Sequence, residues 1–95
     1  MNSHDPKYEV GDYLLFKEED RWGIVILIRV GFGTKPNEYF MDLYPGAVGH
    51  WEGIRAICPD GSGVQTYLGN WVEEERLEPK PQKEIPEEYD FHTYE

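Results

Sequence analysis

The chain sorts its apolar side chains into short runs, punctuated by glycine, proline and charge. In "VGDYLLF", Val10, Leu14 and Phe16 fall on one side of an extended backbone, while Tyr13 and Leu15 point the other way. Asp12 shares the first side only where the strand begins. "KEEDRWG" then sets five charges in a row before a glycine, a pattern that turns the chain and readmits it. Gly11 and Gly23 are expected where the backbone turns into two adjacent strands. Residues 24–30 are nearly all β-branched or leucine and too few for a buried helix, so they predict the central strand.

The loop "GFGTKPNE" leads to "YFMDLYP", where Tyr39, Met41 and Leu43 alternate with Phe40, Asp42 and Tyr44 in a half-buried strand that Pro45 ends. "GAVGHWEG" is irregular and predicts no element. Strands at 54–58 and 64–68 flank "PDGSG", a hairpin signal in which a glycine takes the left-handed conformation the turn requires. In "GNWVEEERLEP", Trp71 and Val72 anchor one helical or 3₁₀ turn, Leu77 returns to the core and Pro79 stops the element. Short strands with turn signals about every ten residues predict an all-β fold, a small five- to six-stranded barrel spanning residues 8–78. Residues 1–7 form a flexible lead-in. Residues 79–95 form an acidic, proline-containing tail with too little apolar surface to fold alone.

"VGDYLLF", "WGIVILI", a tyrosine-rich strand and "WVEEERLE" together resemble the layout of small SH3-like barrels, including KOW- and Tudor-type modules and short phage and bacterial proteins. Gly11, Asp12, Gly23, Ile24, Val25, Trp71 and Leu77 are the matching positions. Residues 45–70 depart from that layout as an irregular insertion holding an extra hairpin. The resemblance implies a fold that serves protein, peptide and nucleic-acid binding alike. It also implies a groove between the turn after the first strand and the loop at 31–37, with Tyr13, Trp22 and Phe32 as its walls.

Charge narrows the partner. Nineteen acids against nine bases disfavour direct contact with a nucleic-acid backbone and suit a protein partner with a basic surface. The imbalance is polarised: ten acids and six bases precede residue 73, and nine acids and three bases follow from there. The chain carries seven tyrosines, four phenylalanines and three tryptophans, more than so small a core hides, and exposed tyrosine and tryptophan suit contact surfaces. Within the tail, Ile85, Tyr89, Phe91 and Tyr94 interrupt the charges at spacings fit to dock an extended peptide into a partner's groove or add a strand to its sheet.

Catalytic chemistry finds little support. His4, His50 and His92 pair with no cysteine or histidine at a metal-ligand spacing, so no metal or cofactor is expected. The lone Cys58 reads as a buried thiol in a reducing, cytoplasmic compartment, which is the host cytoplasm if the gene is a phage's. The paired carboxylates read as solvated faces, and no phosphate-binding or nucleophile-elbow motif occurs. The longest apolar stretch is far shorter than a membrane span. The sequence therefore predicts a non-enzymatic protein-binding module that uses Tyr13, Trp22, Phe32, Tyr89, Phe91 and Tyr94. Two alternatives are an acidic mimic of nucleic acid that inhibits a DNA- or RNA-binding enzyme, and a structural component of a phage particle.

Overall fold

A computed structural model of the chain describes residues 5–44, 46–79 and the backbone of 93–94. The fold is all-β. Its strands are β1 (Tyr13–Phe16), β2 (Arg21–Arg29), β3 (Glu38–Tyr44), β4 (Glu52–Ile57), β5 (Val64–Glu73), β6 (Leu77–Pro79) and β7 (Thr93–Tyr94). One-turn 3₁₀ helices, Lys17–Glu19 and Glu74–Arg76, join β1 to β2 and β5 to β6. Every pairing is antiparallel and the ladder runs β4-β5-β3-β2-β1-β6, with β7 added to β5.

The alternation in the sequence produces not one apolar face but two. Leu14, Phe16, Val25, Tyr39, Met41, Leu43, Val72 and Leu77 form a first core, closed by Tyr8 from the N-terminal arm, Ile28 and Val48. Ile24, Ile26, Phe40, Ala56, Cys58 and Tyr67 form a second on the opposite side, with Tyr13, Leu27, Ile54 and Trp71 packed against it. A bulge in β2 serves both. Val25 and Leu27 stand opposite the consecutive residues Met41 and Phe40, so Ile26 is an extra residue and the strand bends. This explains why residues 24–28 lack polar alternation: each side of the strand meets apolar neighbours.

Three expectations need correction. The ladder does not close into a barrel among the described residues, because β4 and β6 end the path and do not pair with each other. The sheet instead curls until Ala56 of β4 packs with Ile24 and Ile26 of β2. Gly23 does not sit at the turn. Asp20 completes the turn in the left-handed conformation (φ 51°), so β2 begins at Arg21 and Gly23 lies buried inside it, opposite Leu14 and Leu43. Finally, β5 runs on through Gly69 and Asn70 to Glu73, since Gly69 lets the Met41 carbonyl approach too closely for any side chain.

Other expectations hold. Gly11 turns the chain into β1 with φ 96°, and Gly61 turns the β4–β5 hairpin with φ 78°. The Cys58 amide donates to the Gly63 carbonyl at 2.7 Å to close that hairpin. The acidic 3₁₀ turn delivers Leu77 to the first core, and Pro79 ends β6.

Candidate interaction surface

Three aromatic rings form a row across three adjacent strands. Trp22 of β2 stands opposite Tyr44 of β3, and their ring centroids are 5.2 Å apart. Tyr13 of β1 lies opposite Ile24, two residues from Trp22 along β2, and its ring is 6.2 Å from the indole. Alternation produces this row, because Tyr13, Trp22 and Tyr44 are the neighbours of Leu14, Gly23 and Leu43 that fall on the second-core side of their strands. Tyr13 and Trp22 are half-buried and Tyr44 is 45% exposed. Of the three walls expected for a groove, Tyr13 and Trp22 thus meet. Tyr44 was not singled out as a wall, although its place immediately before the proline of "DLYP" and on the side of Phe40 was readable.

Phe32 is elsewhere. It follows the far end of β2 and is 80% exposed on a 370 Å³ depression lined by Arg29, Val30, Lys35, Pro36 and Glu38. Arg29 pairs with Glu38 at 2.9 Å and lies 4.1 Å over the Trp71 ring. Among the tail candidates, Tyr89 and Phe91 lie outside the described residues. Tyr94 is placed by its backbone in β7, opposite Thr66 of β5.

A polar cluster that the sequence reading missed fixes the N-terminal arm. Glu74 Oε1 accepts from the Tyr39 hydroxyl at 2.6 Å, the Lys7 amide at 2.9 Å and Asn37 Nδ2 at 3.2 Å. Asn37 is itself buried and accepts from the Gly31 amide at 2.7 Å. Burial alone would raise the Glu74 carboxyl, but these donors outweigh it and hold the group below its ordinary value. These partners lie 35 to 67 residues apart in the chain, and the acids of "EEER" resemble a solvated face.

Arg76 gathers the two acidic turns. Its Nε and Nη2 donate to Glu18 at 2.6 and 2.8 Å, while the guanidinium lies 5.1 Å over Phe16. The hydrogen bond from Arg76 lowers the Glu18 carboxyl, and Glu18, Glu73 and Glu19 all raise Arg76. His50 is exposed beside the half-exposed Trp51, whereas Cys58 is buried in the second core. Among the described residues no group of three or more His, Cys, Asp or Glu is placed to hold a metal ion, and no helix is long and apolar enough to cross a membrane. Neither a protein-family model, nor a curated protein, nor a solved structure matches the chain.

Proposed function

We propose that the protein is a non-enzymatic protein-binding module that engages a partner with a basic surface through the Tyr13–Trp22–Tyr44 row. The observation that carries this reading is the row itself: three ring-to-ring neighbours drawn from three strands. Rings fixed by a sheet offer large contact area at low entropic cost, and their faces attract guanidinium and ammonium groups. A net charge of −10 favours the approach of a basic partner. The reading also follows the SH3-like resemblance. A 3₁₀ turn delivers a short strand, β6, to the first strand, β1.

Capture of a partner from cell extract, with Trp22→Ala beside the wild type, tests it. Trp22→Ala is expected to abolish capture while leaving the far-ultraviolet spectrum unchanged, and undiminished capture overturns the assignment. A second reading, an acidic mimic of nucleic acid, is favoured by the Arg76–Glu18 bridge, whose cation also feels the charges of Glu73 and Glu19 from the two acidic turns. It predicts capture that falls steeply with salt and is competed by DNA, against a shallow salt response for an aromatic interface.

A further inference from the structure

The loop that joins β2 to β3 is braced along its length. The Lys35 amide donates to the Phe32 carbonyl at 3.0 Å, and the buried Asn37 side chain accepts from the Gly31 amide at 2.7 Å. Gly31 lies so close to the Lys35 carbonyl and to Pro36 that a β-carbon on it would collide with both. The Asn37 carbonyl accepts from the Glu74 amide at 2.9 Å, which ties the end of the loop to the turn after β5. A loop fixed in this way also fixes the side chains it carries. Phe32 is thereby held out in water and forms, with the half-exposed Val30 and with Pro36, the apolar part of the 370 Å³ depression.

The rest of the lining is charged. Arg29 Nε and Nη2 both meet Glu38 Oε1 at 2.9 Å, and the guanidinium lies over the Trp71 ring. Its plane is therefore set, and Nη1 is left without a partner among the described residues. Lys35 likewise forms no ion pair among the described residues. Two cations and one carboxylate thus line this depression, in a chain whose net charge is −10. An oriented guanidinium edge beside an ammonium group suits a carboxylate. The field of the whole chain opposes a polyanion far more than it opposes a single charge. The volume sits at the small end of the range for pockets that take small molecules.

We propose that the depression binds a small carboxylic acid as its monoanion, with an aromatic or branched apolar group packed on Phe32, Val30 and Pro36 and the carboxylate met by Arg29 Nη1 and Lys35. Trp22 and Arg29 stand seven residues apart on β2, so this site is about 20 Å from the aromatic row and does not depend on the function assigned to the row.

Titrations of the full chain, followed by its amide nitrogen-15 and proton resonances, test this. 3-Phenylpropionate is expected to move the Gly31, Phe32 and Lys35 signals saturably and to leave those of Tyr13 and Trp22 in place. 3-Phenylpropanamide keeps the ring without the charge, and acetate keeps the charge without the ring. Each is expected to bind at least about tenfold more weakly. Phe32→Ser and Lys35→Gln change exposed side chains, so both variants should keep a folded spectrum while weakening 3-phenylpropionate to a similar degree. Lys17→Gln removes an exposed cation outside the depression and should bind as the wild type does. Shifts that do not saturate, an amide that binds as well as the acid, or binding untouched by Lys35→Gln would each overturn the proposal. Tighter binding of N-acetylglycylphenylalanine than of 3-phenylpropionate would also overturn it, by assigning the depression to the C-terminus of a peptide.

Discussion

The Tyr39 hydroxyl donates a 2.6 Å hydrogen bond to the Glu74 carboxylate across the mouth of the first core. Tyr39 is fully buried, and the Tyr8 ring meets it edge-on at 5.5 Å, with the Tyr8 amide 3.4 Å from the same hydroxyl. This contact is how the N-terminal arm is held against the sheet. Tyr39→Phe keeps the ring but removes the donor, leaving a partly buried carboxylate short of one partner. The expected loss is about 1–3 kcal/mol of unfolding free energy, read from urea denaturation. A variant as stable as the wild type would show that the arm does not depend on this bond.

Acid and alkali should destabilise the fold through the same pair. Glu74 is held below the ordinary carboxylate value of 4.5 by the donors that outweigh its burial. A depressed folded value contributes stability that is present above 4.5 and is lost as the pH falls through the folded value. Tyr39 shifts the opposite way. Burial raises its hydroxyl, and the hydrogen bond to Glu74 adds to the shift; burial also raises Tyr67. Raised folded values contribute stability that is present below 10 and lost as the pH climbs beyond it. Thermal midpoints of the wild type and Glu74→Gln should therefore differ at neutral pH and converge below 4.5. A constant difference across that range would remove Glu74 as the cause.

Two buried glycines should tolerate no side chain. A β-carbon on Gly23 would run into the Asp42 carbonyl and stand 3.0 Å from the Leu43 Cα; one on Gly69 would run into the Met41 carbonyl. The obstructing atoms are ladder backbone, which cannot yield without opening the pairing of β2 or β5 with β3. Gly23→Ala and Gly69→Ala are each expected to cost at least about 1–3 kcal/mol. Gly46→Ala is the control, because a β-carbon there meets nothing within 4 Å and should leave the denaturation midpoint unchanged.

These glycines mark where local pattern ceases to inform. Turn chemistry was legible at Gly11 and Gly61, which take the positive φ that a turn glycine admits. The period-two pattern likewise placed β3, and the single turn expected through "EEER" placed the return of Leu77. Gly23 and Gly69 resemble turn signals in isolation, yet each answers to a carbonyl on another strand. The same limit explains Asp42, which an alternating strand would place on a half-wet face. A second core lies on that side, and Asp42 is fully buried opposite Ile24. At the candidate surface, Tyr13 and Trp22 were legible as neighbours because β1 and β2 are consecutive. Phe32 was misgrouped with them because β2 is nine residues long and separates its two ends.

Cys58 offers a measure of how firmly the extra hairpin is held. Its side chain is 6% exposed and packs with Ala56, Tyr67 and Ile24, and its amide closes the turn onto Gly63. A thiol reagent reaches it only when β4 lifts from β5 or the whole domain opens. Labelling by an aromatic disulfide reagent should therefore be at least about a hundredfold slower in buffer than in concentrated urea, the factor for an opening free energy of about 2.7 kcal/mol. Denaturant then separates the two routes. A labelling rate that is insensitive to low urea means that the hairpin opens locally, as an edge strand with exposed Ile57 and Val64 would allow. A rate that climbs with the same slope as global unfolding means that the second core ties β4 to β2 as one cooperative unit. Packing of Ala56 against Ile24 and Ile26 makes the second outcome the expected one. Labelling within a few-fold of the unfolded rate would contradict a buried Cys58 altogether.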